Sequence, residues 1–210
     1  KNSQIKDLLE SRSKDLKAEA FDIKDYKSKV QMIKYIAKKL ASGQVVGWFQ
    51  GRMEWGPRAL GNRSILADPR YPKMKEILNK KIKKRETFRP FAPSILREYV
   101  NDWFTEDVSV PFMGQVHQIR ETKHTLIPAV THVDGSGRLQ TVEKETNPIY
   151  YQLIKQFCNI TGVPILLNTS FNENEPVVCK PAEALETFLR TNMDILCIGK
   201  YVISRKADIN

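Results

Sequence analysis

NPIYYQLIKQFCNITGVPILLNTSFN, residues 147–172, carries a helix and then a strand in one short span. Asn147 is a good N-cap, and Pro148 suits the first helical position, where a missing backbone N–H costs nothing. Ile149, Leu153, Phe157 and Ile160 then recur on one helical face, and Gly162 stops the helix. Pro164–Leu167 follows at once as a compact apolar strand that runs into the polar segment Asn168-Thr169-Ser170-Phe171-Asn172. Downstream, Pro181 opens a helix to about Asn192, and Ile195–Ile203 reads as a final strand. Helix and strand thus alternate, which predicts a layered α/β fold.

Asp25–Ala41 is a helix with Val30, Ile33, Ile36 or Ala37, and Leu40 on one stripe, closed by Ser42-Gly43. Gln44–Phe49 and Arg63–Ala67 are short strands, and a helix runs from Pro72 to about Lys84. Arg85–Leu96 is extended and ends in a strand at Ala92–Leu96, followed by a short helix over Arg97–Phe104. Phe112–Arg120 and Pro128–Val133 read as strands, and a turn at Asp134-Gly135-Ser136-Gly137 would return Arg138–Val142 as a hairpin partner. This irregular middle predicts a mixed sheet. Residues 1–40 are expected to be a helical lead-in or linker from a preceding domain, since the chain opens on Lys rather than Met, and residues 41–210 a single domain.

Hydrophobic residues make up 41% and charged residues 28%, the balance of a globular chain, and no apolar run is long enough to span a membrane. Three cysteines without a CxxC spacing argue against a disulfide framework or zinc knuckle and fit a reducing, cytoplasmic setting. The net charge of +10 favours anionic partners. Its densest stretch, Lys73–Arg89, carries eight basic residues against Glu76 and Glu86.

Chemistry gathers where predicted strands end. Gly47–Arg63, GWFQGRMEWGPRALGNR, packs four glycines, three arginines and two tryptophans into one loop after a strand. Arg52, Arg58 and Arg63 are forked cations suited to carboxylate or phosphate, and glycines let a backbone approach a ligand closely. One such arginine would read as a solvated surface turn; three in this span read as an oxyanion loop. Lys83-x-Arg85 with Arg89 forms a second cationic cluster, although a lysine run alone is more often the wet face of a helix. Asn168-x-Ser170-x-Asn172 supplies neutral amides and a hydroxyl, with a plain side-chain-to-backbone turn as the competing reading. His132 and Asp134 make a fourth group; a lone His before a turn is more often structural. Asp134 and Glu54 belong to no recognisable metal-ligand set. Neither a GxxxxGK[ST] nor a GxGxxG loop is present.

Four blocks in order, GRMEWGPRALGNRSIL, KKRETFRPFAPSIL, THVDGSGRLQTV and PILLNTSFNENEPVV, resemble the C-terminal part of the O-carbamoyltransferases of nodulation-factor, cephalosporin and tobramycin synthesis. The resemblance covers roughly Ala41 to Arg205. It implies a YrdC-like α/β fold, a twisted mixed β-sheet flanked by helices. It also implies a KxR…SxN signature, here Lys83 and Arg85 with Ser170 and Asn172, as the catalytic set. Arg52, Arg58, Arg89, His132 and Asn168 are the further candidates for substrate and nucleotide. The implied activity is formation of carbamoyladenylate from carbamoyl phosphate and ATP with Mg²⁺, no protein metal ligands being assigned. The implied partner is an ASKHA/Kae1-like N-terminal domain of the same full-length protein, which passes the carbamoyl group to a hydroxyl. Two other readings share features: a YrdC-type threonylcarbamoyl-adenylate synthase of tRNA modification, and a non-catalytic RNA-binding module. The loop and HVDG blocks favour the first family, and the absence of an RNP or KH pattern weighs against nucleic acid.

Overall fold

Four consecutive buried residues, Val46–Phe49, form β2 at the heart of a mixed sheet. Burial on both faces explains why the strand reads as an unbroken apolar run rather than an alternation. In the computed structural model, which describes residues 2–18, 21–84 and 89–206, β2 is flanked by β3 (Arg63–Ala67), antiparallel, and by β8 (Ile195–Ile198), parallel. The remaining strands are β1 (Phe21–Asp25), β4 (Ala92–Leu96), β5 (Gln115–Gln118), β6 (Ser136–Val142), β7 (Ile165–Ser170) and β9 (Tyr201–Arg205). Among the described residues they form one nine-stranded sheet ordered β1-β9-β8-β2-β3-β7-β4-β6-β5. Two neighbouring pairs are parallel, β2 with β8 and β4 with β6; the others are antiparallel. The expected mixed α/β sheet is therefore what the chain forms.

Helices α3 (Lys29–Ala41) and α6 (Pro148–Thr161) pack on one another, and α6 also meets β4 and β7. Their predicted signals are in place: Asn147 accepts from the Tyr150 N–H, Pro148 opens α6, and Gly162 closes it at φ 76°. Helix α7 (Pro181–Arg190) lies against β2 and β8, and α1 (Asn2–Ser11) lies against α7. α2 (Ser13–Ala18) leads into β1, and the short α5 (Val100–Trp103) follows β4. Gly47 of β2 leaves room for Phe171; a Cβ there would sit 2.8 Å from the ring's Cζ. That contact presses the segment after β7 onto the centre of the sheet.

Several local expectations change. Ile195–Ile203 is two strands, because Gly199 at φ 58° folds the run into the β8–β9 hairpin. Pro128–Val133 forms no strand; β6 pairs instead with β5 and with β4, whose edges outcompete a local hairpin. The Asp25–Ala41 helix starts only at Lys29, capped by Ser28, because Phe21–Asp25 is drawn onto the sheet edge beside β9. The helix from Pro72 shortens to α4 (Met74–Leu78), followed by a wide π turn at Asn79–Lys83 and left-handed Lys84. The expected lead-in folds onto the same core, burying Ile5, Leu9, Leu16 and Phe21.

Candidate functional site

The loop between β2 and β3 is built around one carboxylate. Glu54 Oε1 accepts from the backbone N–H groups of Leu60 (2.7 Å), Asn62 (2.8 Å) and Arg63 (3.1 Å). Trp48 Nε1 donates to Gly61 O at 2.9 Å. Gly61 sits at φ 104° with Tyr150 so close that a Cβ would meet Cδ1 at 2.2 Å, so only glycine fits. Arg63 is buried over the Phe49 ring, its guanidinium carbon 3.6 Å from the centroid, and donates to Gln50 O, Gly51 O and Asn62 O. Burial pushes its pKa down, partly offset by Glu54. Of the three loop arginines, Arg63 thus ties the loop shut, while Arg52 and Arg58 are exposed.

The held loop presents Pro57, Arg58 and Ala59 to a pocket of about 110 Å³ whose other lining includes Pro90, Phe91, Arg138, Asn168 and Ser170. Strand β7 supplies Asn168 and Ser170, β6 supplies Arg138, and the segment entering β4 supplies Pro90 next to exposed Arg89. A wider concavity of about 450 Å³ shares Pro57, Arg58, Met113 and Arg138 and adds Trp55, Leu60, Phe112 and Val116. The arrangement is therefore a small polar recess opening into an apolar, partly aromatic vestibule, with two arginines at the junction.

Among the described residues those arginines lack a counter-ion. Burial first and the nearby Arg58 charge second push the Arg138 pKa below the usual guanidinium value. Among the described residues no carboxylate pairs with either. Two cations held together without an anion favour an anionic guest. Behind the recess, buried Lys83 donates to Ser170 O (2.7 Å), Asn172 O (2.7 Å) and Asn172 Oδ1 (2.8 Å), with Ser170 Oγ at 3.4 Å. Ser170 Oγ in turn donates to Asn172 Oδ1 at 2.7 Å, and Asn172 Nδ2 to Glu175 O at 2.6 Å. The ammonium shapes the end of β7, and its direct contact with a phosphate would require an exchange of partners. The rest of the lysine run is divided: Lys81 pairs with Asp194, Lys84 with Glu173, and Lys80 is exposed.

The structure thus brings Arg58, Asn168 and Ser170 to one recess, with Lys83 and Asn172 directly behind it and Arg89 beside it. Arg85 lies outside the described residues. Arg52 is placed elsewhere, in a concavity with α1, Cys179 and the start of α7. His132 is not in the recess lining: its Nδ1 meets Ser136 Oγ at 3.0 Å, and that hydroxyl donates to Asp134 Oδ1 at 2.6 Å. Asp134 is thereby committed to a turn, as Glu54 is to the loop, and the described residues hold no group of three His, Cys, Asp or Glu able to bind a metal. Sequence reasoning passed over Arg138 and Gln140. They flank Leu139 on β6 and so share one face of the strand, and that alternation was the available signal.

The model of the family described as Carbamoyltransferase C-terminus matches residues 37–205. The nodulation protein NolNO of Sinorhizobium fredii is 53% identical over 174 residues, covering 81% of this chain and 26% of that protein. The 3'-hydroxymethylcephem-O-carbamoyltransferase of Amycolatopsis lactamdurans is 47% identical over 135 residues, covering 64% of this chain and 25% of that protein. The chain therefore spans about a quarter of the length of these relatives. Among solved structures, full-length HypF in its phosphate- and nucleotide-bound form superposes with a TM-score of 0.58 at 18% identity, over 85% of this chain and 22% of that one. At that identity the likeness is one of fold, the YrdC-like α/β sheet.

Proposed function

The chain belongs to the carbamoyltransferase C-terminal family, and from that premise we propose that it binds ATP and carbamoyl phosphate and makes carbamoyladenylate, for delivery to a hydroxyl by an N-terminal domain of the full-length protein. The observation that carries this reading is the pair Arg58 and Arg138, two guanidinium groups without a counter-ion among the described residues, where the recess meets the vestibule. The relatives' names support the carbamoyl group, and the recess supports a small polar guest next to an anion.

Hydrolysis of carbamoyl phosphate yields carbamate and phosphate. A carbamate oxygen then attacks the α-phosphorus of ATP, the bond from that phosphorus to the bridging oxygen of the β-phosphate breaks, and pyrophosphate leaves. No protein nucleophile is needed; the demand is to hold two anions together and to stabilise the leaving charge. Arg58 and Arg138 answer it by charge-assisted hydrogen bonds to phosphate oxygens, with Arg89 at the rim. Ser170 stands at the recess with its hydroxyl aligned by Asn172 and Lys83, so it can be turned to a phosphoryl or carbamoyl oxygen. The vestibule walls Trp55 and Phe112 offer apolar surface to the base. The described residues form no Mg²⁺ cage, so no step is assigned to protein-held metal; Mg²⁺ commonly binds largely through water and substrate phosphates.

The test is exchange of labelled pyrophosphate into ATP, with carbamoyl phosphate present and absent. Carbamoyl-dependent exchange is the expected result. A folded sample that binds ATP and shows no exchange would remove adenylate formation from this chain.

A further inference from the structure

Resting on that reading, we infer that the side-chain oxygen of Asn168 recognises the amino group of the carbamoyl donor and so makes this recess selective for carbamoyl over acyl groups of equal size. The orientation of the amide can be worked out from its neighbours. Gln140 Nε2 donates to the Leu60 carbonyl at 2.9 Å, and a carbonyl can only accept, so Gln140 turns its oxygen inward. That oxygen already accepts from Ser94 Oγ and faces Asn168. Asn168 Nδ2 therefore donates to Gln140 Oε1 at 2.9 Å and to the Ala59 carbonyl at 3.1 Å. Both hydrogens of the amide are spent, and flipping it would set oxygen against oxygen on two sides.

What remains is Asn168 Oδ1, buried and without a donor among the described residues. A buried acceptor left unmade costs stability and calls for an explanation. Asn168 is 1% exposed, lies on β7 two residues before Ser170, and lines the recess with Arg58 and Arg138. The charged groups there suit the phosphate of a ligand and offer donors only. The missing complement is a ligand N–H. Carbamoyl phosphate carries one directly beside its phosphate, in a planar amide the size of an acetyl group. Adenine also carries an amino group, but the roughly 110 Å³ recess is the smaller space, and the 450 Å³ vestibule with Trp55 and Phe112 is the roomier seat for a purine. A site that pairs a buried oxygen with a ligand N–H rejects the analogue lacking that N–H, because the oxygen is then left unpaired.

Acetyl phosphate replaces the amino group with a methyl group of similar size, so the comparison isolates one hydrogen bond. Titration calorimetry of the wild-type chain with carbamoyl phosphate, acetyl phosphate and inorganic phosphate should give the first about tenfold tighter binding than the second. In Asn168→Ala the two should bind alike, with inorganic phosphate unchanged. Because that variant also frees Ala59 O and Gln140 Oε1, its fold is checked by circular dichroism; if it does not fold, the wild-type comparison decides alone. Equal affinity of the wild type for both acyl phosphates overturns the inference, as does a preference that survives in folded Asn168→Ala. Loss of discrimination between ATP and inosine triphosphate in that variant, with carbamoyl preference intact, would assign the oxygen to the base instead. Equal acyl phosphate binding with pyrophosphate exchange preserved removes only this inference, whereas failure of any acyl phosphate or ATP to bind removes the proposed function and the inference with it.

Discussion

Arg58 and Arg138 raise each other's electrostatic energy in the ligand-free chain, and that repulsion sets the sign of a mutational signature. Replacing either by Gln removes a charge-assisted phosphate contact worth about 1.5–3 kcal/mol, roughly ten- to a hundredfold in ATP affinity. It also relieves the like-charge repulsion that adds to burial in lowering the Arg138 pKa. Calorimetry should therefore show weaker ATP binding while the melting temperature stays level or rises; a fall in both would make the arginines structural. His132 gives a second residue-scale prediction. Ser136 Oγ donates to Asp134 and so accepts from His132 Nδ1–H, leaving Nε2 buried with no partner among the described residues. Burial lowers the His132 pKa below 6.5, opposed by Asp134 and reinforced by Lys75 and Arg138. The unfolded chain then takes up the proton first as pH falls, so stability drops below about pH 6.5 until the folded imidazole also titrates. Denaturation midpoints measured across that range should slope less in His132→Gln than in the wild type.

At the scale of elements, the β2–β3 loop shows how arginines in a glycine-rich stretch divide their work. Gly61 allows the chain to pass Tyr150, Glu54 gathers three N–H groups, and Arg63 closes the loop's base. Only then is Arg58 held at the recess. Glu54 is absent from the lining of both recess and vestibule, yet Glu54→Ala should weaken ATP binding by loosening the loop. Stranding those N–H groups should cost about 1–3 kcal/mol, and hydrogen exchange at Leu60, Asn62 and Arg63 should speed up. Unchanged exchange at these three amides would show that the loop holds its shape without the carboxylate. The π turn at Asn79–Lys83 plays the matching part on the other side, turning Lys83 under Ser170 and Asn172.

Over the whole molecule, the first residues are joined to the sheet. β1 pairs with β9 along five residues, Phe21 packs on Phe188 with ring centroids 5.5 Å apart, and Arg205 lies over both rings. Removing residues 1–28 strips Ile5, Leu9, Leu16 and Phe21 from the core, at about 1.5–3 kcal/mol for each buried side chain. That total is comparable to the entire stability of an ordinary domain, about 5–15 kcal/mol. Urea titration of the truncated chain should show a much lower midpoint or no folded baseline; an unaltered midpoint would make the segment a true lead-in.

Local signals in the sequence were enough for α6 and β4 and for the mixed α/β class. Caps, a proline at the first turn, a closing glycine and an apolar period act within a few residues, so they are legible without tertiary contacts. Clustering of Arg58, Asn168 and Ser170 was also anticipated, because polar residues at strand ends meet along one edge of an α/β sheet. The roles inside those clusters were not legible. Whether an arginine closes a loop, like Arg63, or stands without a carboxylate among the described residues, like Arg58, depends on which carbonyls and carboxylates the fold brings within reach. Arg138 entered the site only through the pairing of β6 with β4 and β5, partners set by non-local edges rather than by the adjacent turn. The layered α/β class and the cationic, amide-rich chemistry were written in local sequence; the strand pairings, and which cations and which amide oxygen lack a partner among the described residues, came from the fold, because hydrogen-bond satisfaction is a property of neighbours in space.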